Sequence, residues 1–165
     1  MEGSSTAMER IQRNVKLSEV ATFERAKKDK EYPYGATLLQ ISATKGQLLF
    51  HRGGAVGSQY AVIIPKDIHP YYLYLAMQAK IDAFMAKYQT GLNLQIDTLN
   101  YFTIDMDPNL ETQRVQADAM LEIEKQEEQI QKRIDLLIES KKFFLTNLFP
   151  KEGKDVPDIR FKDFI

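Results

Sequence analysis

The sequence contains no cysteine in 165 residues, which excludes disulfides, thiolate metal sites and cysteine nucleophiles and permits a reducing, cytoplasmic compartment. Histidine is scarce: neither His51 nor His69 has a second histidine at helical or loop spacing, so both read as exposed or core-satisfied rings and no metal site is expected. No apolar run approaches the roughly 20 residues of a membrane span. The polar opening Met1-Glu2-Gly3-Ser4-Ser5-Thr6 lacks the apolar core of a signal peptide and reads as a frayed or tag-like tail. A soluble chain with no membrane partner follows as the expectation. An excess of either charge is also missing, since 22 Lys and Arg stand against 23 Asp and Glu, a net of −1.

The familiar catalytic spacings are absent as well. Gly53-Gly54-Ala55-Val56-Gly57 is glycine-rich, but it lacks the G-x-G-x-x-G spacing, the Gly-Lys-Ser/Thr ending and a clear following helix, and reads as a mobile turn or hairpin. Glu139-Ser140-Lys141 carries the Glu-x-Lys tail of many metal-dependent nucleases without an upstream Pro-Asp partner. A methyltransferase acting on an adenine amine would need a glycine-rich cofactor loop and an Asn/Asp-Pro-Pro-aromatic motif, and neither occurs. The chain is not expected to catalyse a reaction alone.

What the sequence does contain divides into two parts. Residues 1–108 read as a mixed domain, with residues 1–14 as its tail. Thr37-Leu38-Leu39-Gln40-Ile41-Ser42, Gln47-Leu48-Leu49-Phe50 and Gln59-Tyr60-Ala61-Val62-Ile63-Ile64 are strand-like runs divided by turn signals at Lys45-Gly46 and Arg52-Gly53-Gly54, which suggests a small, curved sheet. After Pro70 the period becomes helical: Tyr74, Met77, Ile81, Phe84 and Tyr88 form an apolar stripe of about four turns that reads as core. Thr90-Gly91 ends that helix, residues 92–96 and 102–105 read as further strands, and Asp107-Pro108 offers a cap with a proline tolerated in a first turn.

Residues 109–149 then read as one long coiled-coil-type helix, and 150–165 as a linker-like tail. Ile123, Ile130, Leu137 and Phe144 are seven apart, with Met120, Ile134 and Leu148 on the alternate heptad position. Glu127 and Lys141 interrupt this seam, a pattern that costs stability and fixes register and partner choice. From Glu111 to Phe149 such a helix runs about 58 Å at 1.5 Å per residue, the length of a spacer and a pairing surface. The fold class expected is α+β, a small mixed domain followed by one long helix.

The segment Lys141-Lys142-Phe143-Phe144-Leu145-Thr146-Asn147-Leu148-Phe149-Pro150, with Gly153 and Val156-Pro157-Asp158-Ile159-Arg160-Phe161-Lys162-Asp163-Phe164, resembles the end of the spacer helix of the specificity (S) subunits of type I restriction-modification systems and the linker that follows it. Lys16-Leu17-Ser18-Glu19-Val20-Ala21-Thr22-Phe23 is similar to the Lys-Leu-Gly-Glu-Val start of a target-recognition domain in that family, with Ser18 where Gly is usual. Ile41-Ser42-Ala43-Thr44-Lys45-Gly46 and Tyr88-Gln89-Thr90-Gly91-Leu92-Asn93-Leu94-Gln95 resemble further segments of the same domain, so the likeness spans residues 16–164. The family usually carries two recognition domains and two spacer helices; here there is one of each. The resemblance implies a recognition subunit that reads half of a bipartite site in double-stranded DNA and docks methyltransferase and restriction subunits. S-adenosylmethionine, ATP and magnesium would belong to those partners, with no cofactor on this chain.

A reader of base edges needs Arg or Lys for guanine, Asn or Gln for adenine, and Ser or Thr for either, with basic groups on the phosphates. Residues 25–52 hold six basic side chains (Arg25, Lys27, Lys28, Lys30, Lys45, Arg52) against Asp29 and Glu31, a local net of +4 that offers a phosphate patch or an ordinary solvated loop. The polar clusters fitting the need are Ser42, Thr44, Lys45, Arg52, Ser58 and Gln59, and Gln89, Thr90, Asn93 and Gln95. By resemblance, Lys45, Arg52, Gln59, Thr90, Asn93 and Gln95 are the expected base or phosphate contacts, with Lys27 and Lys28 holding the DNA backbone. Thr90-Gly91 also reads as an ordinary helix stop, and Asn93 and Gln95 as the outward face of a strand. The seam residues Ile123, Ile130, Ile134, Leu137, Phe144 and Leu148 are the expected homodimer interface. A second class stays open: a dimeric decoy that enters restriction-modification complexes without reading DNA.

Overall fold

The structure, a computed structural model, describes residues 11–43, 45–153 and 155–160. It contains two compact units, Met1–Ala119 and Met120–Ile165. The first is organised by a four-stranded antiparallel sheet in the order β2 (Ala21–Arg25), β7 (Tyr60–Pro65), β4 (Thr37–Gln40), β5 (Leu48–Phe50). Strand β7 reads as a continuous apolar run, Tyr-Ala-Val-Ile-Ile-Pro, because it is the second strand in and both of its faces are covered. Ala61 and Ile63 face a core shared with Leu39, Leu73, Met77, Phe84 and Phe102. Val62 points the other way, with Leu38, into a smaller core closed by Tyr32 and Val56. The second core lies under a two-stranded ribbon, β3 (Glu31–Tyr32) with β6 (Gly54–Ala55), which accounts for the glycine-rich run: it forms a strand of that ribbon and the turns flanking it.

Helix α1 (Leu17–Val20) is a single turn, and it is followed along the chain by β2. Before it, β1 (Gln12–Lys16) pairs antiparallel with β8 (Thr103–Met106). The expected tail therefore ends earlier than residue 14: Val15 and Ile104 bring apolar side chains to the main core, and Asn14 donates its N–H to Asp105 Oδ1 at 3.0 Å. Residues 1–10 lie outside the described residues.

The apolar stripe after Pro70 is core, but it is carried by two helices, α2 (Pro70–Gln78) and α3 (Ile81–Tyr88). The backbone leaves the helix at Lys80 (φ −119°), whose N–H bonds back only three residues, to Met77, and whose ammonium lies 2.8 Å from Asp105. Residues 92–96 are not a strand. Leu92 is exposed and only Leu94 is buried, so the alternation Leu92, Leu94, Ile96 has one core anchor, and a 3-10 helix (Ile96–Tyr101) follows.

Helix α4 (Leu110–Asn147) is capped by Asn109, whose Oδ1 accepts from the N–H groups of Glu111 and Thr112 at 2.9 and 3.1 Å. Asp107 instead accepts from Asn109 N–H, and Pro108 precedes the cap where a first-turn proline was expected. Gln113, in this first stretch, is fully buried: its Oε1 accepts from His69 N–H at 2.8 Å and its Nε2 donates to the Asp107 carbonyl at 2.7 Å. His69 in turn caps α2 through Nδ1, at 3.4 Å from Tyr72 N.

In the second unit α4 continues with every residue from Met120 to Thr146 exposed. The expected linker is tied to the helix end there. Ile159 N–H donates to the Asn147 carbonyl at 3.0 Å, and Lys151 pairs with Asp158 at 2.6 Å. Residues 161–165 lie outside the described residues. No described helix is long and apolar enough to cross a membrane.

Gln113 satisfies a donor and an acceptor that are otherwise buried, so Gln113→Leu should destabilise the chain by about 1–3 kcal/mol. Urea unfolding followed by circular dichroism measures this; an unchanged midpoint would show that the amide is dispensable.

Candidate nucleic-acid interface

The register of the sheet defines two ends. At one of them β2 finishes with Arg25, β4 finishes with Gln40, β7 begins with Tyr60 and β5 begins with Leu48. Three loops meet at this end, 41–47, 56–59 and the segment 89–95 that follows α3, and hydrogen bonds tie them together. The Gln59 carbonyl accepts from the N–H groups of Ile41 and Ser42 at 2.8 and 3.3 Å. Leu94 N–H donates to the Ile41 carbonyl at 2.8 Å, and Ala43 N–H donates to Asn93 Oδ1 at 3.0 Å. Gly46 packs against α3 so closely that a Cβ there would sit 2.8 Å from Met85 Cγ and 3.2 Å from Ile81, with φ at +83°. Only glycine fits both the backbone and the space.

Of the residues singled out in the sequence, Ser42, Lys45, Ser58, Gln59, Asn93 and Gln95 are thus gathered at one sheet end, with Thr90 in the same loop as Asn93. Lys45, Gln59, Thr90 and Gln95 are exposed and their side chains make no hydrogen bond among the described residues. Asn93 differs: its carbonyl oxygen is committed to Ala43, so it braces the loops. Thr44 lies outside the described residues. Arg52 is not part of this group. It follows Phe50, which pairs with Thr37 at the opposite end of the sheet.

Lys28 joins the group from the other side, lining a groove of about 300 Å³ with Ala55, Val56, Gly57 and Ser58. Arg25, the first of the six basic residues of the 25–52 stretch, donates Nε–H to the Ser58 carbonyl at 2.9 Å. Lys27 and Lys30 are less available. Both reach Glu24, Lys27 at 3.4 Å, and Tyr32 donates its hydroxyl to the same carboxylate at 3.1 Å. Glu24 sits one residue outside the basic stretch, so the local net falls from +4 to 6 − 3 = +3. The Lys30 ammonium, chiefly, holds the Glu24 carboxyl below its ordinary value near 4.5, against the opposing pull of partial burial.

His51, by contrast, is a core residue: it is buried, with Nε2 3.2 Å from the Gly54 carbonyl. The heptad residues Ile123, Ile130, Ile134, Leu137 and Phe144 of α4 are exposed and Leu148 is half-buried. Glu127 and Lys141, the two seam interruptions, are exposed beside them.

Comparison with known proteins agrees with this architecture. Residues 6–140 match the family model of the type I restriction modification DNA specificity domain, and the chain belongs to that family. Among solved structures it is similar to the S subunit of a type I restriction-modification system from M. genitalium, with a TM-score of 0.61 and 13% sequence identity over 89% of this chain. That likeness is one of fold, and this chain spans 48% of that subunit. No match was found among curated proteins.

Because the folded Glu24 binds its proton less readily than the unfolded residue does, its contribution to stability is present above its ordinary value and lost as pH falls through the depressed one. Glu24→Gln should therefore shrink the loss of melting temperature between pH 7 and pH 3. An identical acid loss in the variant would show that the Lys30–Glu24–Lys27 cluster contributes nothing to it.

Proposed function

We propose that this chain is a non-catalytic specificity subunit that reads half of a bipartite site in duplex DNA and docks a DNA methyltransferase, and with it a restriction subunit. The observation that carries the reading is the set of three loops hydrogen-bonded into one surface at one end of the sheet. That surface presents unpaired polar side chains between cations, the combination that base-edge reading and phosphate contact require. Gln59, Thr90 and Gln95 are assigned to base edges, and Lys28 and Lys45 to phosphates. Lys27 contributes less, being held by Glu24, and Asn93 keeps the loops in register. With a chain net charge of only −1, the electrostatic footprint is local, and sequence selection rests on where these few groups point.

The methyl transfer and any ATP-driven step belong to the partner subunits, which bring S-adenosylmethionine, ATP and magnesium. What supports self-pairing is the exposed apolar seam of α4, for which water is a poor resting place. Two copies paired antiparallel through Ile123, Ile130, Ile134, Leu137, Phe144 and Leu148 would bury it and place two recognition surfaces about a two-fold axis.

Two measurements test this reading. Duplex binding in the presence of the methyltransferase should weaken steeply with salt. Lys28→Ala or Lys45→Ala should weaken it equally for all sequences, each lowering the salt slope by about 1; a slope unchanged in both would remove the phosphate assignment. Sedimentation at micromolar concentration should give a dimer for the wild type and a monomer for Leu137→Glu, whereas a monomeric wild type would refute the pairing.

A further inference from the structure

Six side-chain amides cluster around the loop-bearing end of the sheet, and three of them are already spoken for. Gln40 Nε2 donates to the Ser42 carbonyl at 2.9 Å, Gln89 Nε2 to the Gly91 carbonyl at 2.8 Å, and Asn93 Oδ1 accepts from Ala43. Gln47, Gln59 and Gln95 have no such bond among the described residues. Gln59 stands apart from the other two because of the backbone that carries it. It occupies a turn in which four successive carbonyls are engaged. Gly57 accepts from Tyr60 N–H at 3.1 Å and Ser58 from Arg25 Nε; Gln59 accepts from Ile41 and Ser42 N–H, and Tyr60 from Ala26 N–H at 2.9 Å. The turn leads directly into β7, whose Ala61, Val62 and Ile63 are fully buried.

The amide itself lies over Gly57. A Cβ added at that glycine would sit 2.8 Å from both Cδ and Nε2 of Gln59 and would collide with Oε1. These Gln59 atoms are the nearest that such a Cβ would meet, and Gly57 is not among the glycines with a left-handed backbone. The absence of a side chain at residue 57 therefore does not serve backbone freedom, and Gly57 is exposed and outside the core. What it leaves is room for the orientation in which the exposed Gln59 amide lies over the backbone.

We propose that Gln59 reads an adenine in the major groove, and that Gly57 is the positioning residue that sets its aim. An amide that offers both its oxygen and its NH2 can bond N6 and N7 of adenine together, whereas the half-committed Asn93 cannot. Bidentate geometry tolerates little rotation, which is why a glycine below the amide matters. This assignment rests on the DNA reading proposed above.

The test is selection from a randomised duplex pool by the full chain with its cognate methyltransferase subunit, followed by sequencing of the retained DNA. The wild type should enrich a motif with an adenine in one column of the half-site. Gln59→Arg should convert that column to guanine and leave the others unchanged, since Arg pairs with O6 and N7 of guanine. Gly57→Ala should relax the same column, with binding to the selected duplex weakened about tenfold to a hundredfold, while the melting curve stays that of the wild type. In the Gln59→Ala background the Gly57→Ala change should add nothing, as expected when one residue acts through the other. A wild-type motif that Gln59→Arg leaves untouched overturns the adenine assignment alone. A pool from which the wild type enriches no motif overturns the DNA-reading function itself, and the assignment with it. Loss in Gly57→Ala that persists in full without the Gln59 side chain would overturn the positioning role.

Discussion

The recognition unit depends on strand β7. It pairs antiparallel with β2 along one edge and with β4 along the other, and its consecutive residues Ala61, Val62 and Ile63 are buried on alternating faces. With a side-chain period of two, a slip of one residue would exchange the two cores, so the register is fixed by packing from both sides. The start of the strand is fixed with it. Tyr60 accepts from Ala26 and Gln59 from Ile41 and Ser42, which sets the height at which the chain leaves β2 and β4 beside the start of β7.

A braced frame under exposed polar side chains suits recognition, because hydrogen bonds between the loops lower the ordering cost that binding would otherwise meet. The same logic separates the polar residues by role. Asn93 and Gln113 commit their amides to backbone groups and hold elements together, whereas the Gln59 and Gln95 amides and the Thr90 hydroxyl make no hydrogen bond among the described residues. Among the cations, Glu24 draws in Lys27 and Lys30, while Lys28 and Lys45 at the loop-bearing end form no ion pair among the described residues. A surface with few free charges gains little from non-specific attraction, so selectivity falls to directional hydrogen bonds.

Much of this was legible in the chain. The strands at Thr37, Leu48 and Tyr60 carry the β-branched and aromatic residues that a buried sheet selects, and the heptads of α4 announce a long helix. The stripe from Tyr74 to Tyr88 was recognisable as core, yet the break at Lys80 was not, since an i, i+3/i+4 pattern survives a single non-helical residue. Strand β1 was hidden because its partner, β8, lies about ninety positions away, and Arg13 and Asn14 give it no alternation to detect. Gln113 sits in a polar stretch of sequence that looks exposed; only the fold brings His69 and the Asp107 carbonyl to it. Arg52 and Lys45 looked equivalent as basic loop residues, and it is the antiparallel register of β4 and β5 that sends them to opposite ends of the sheet.

The central claim is that a symmetric pair of these chains directs methylation through the loop-bearing end of the sheet. It is tested most directly by mapping the bases methylated when this polypeptide is the only specificity protein present with its methyltransferase. The account predicts a bipartite motif whose two halves are inverted copies of each other. A motif with two unrelated halves would contradict it, and would mean that a second, different recognition surface completes the site.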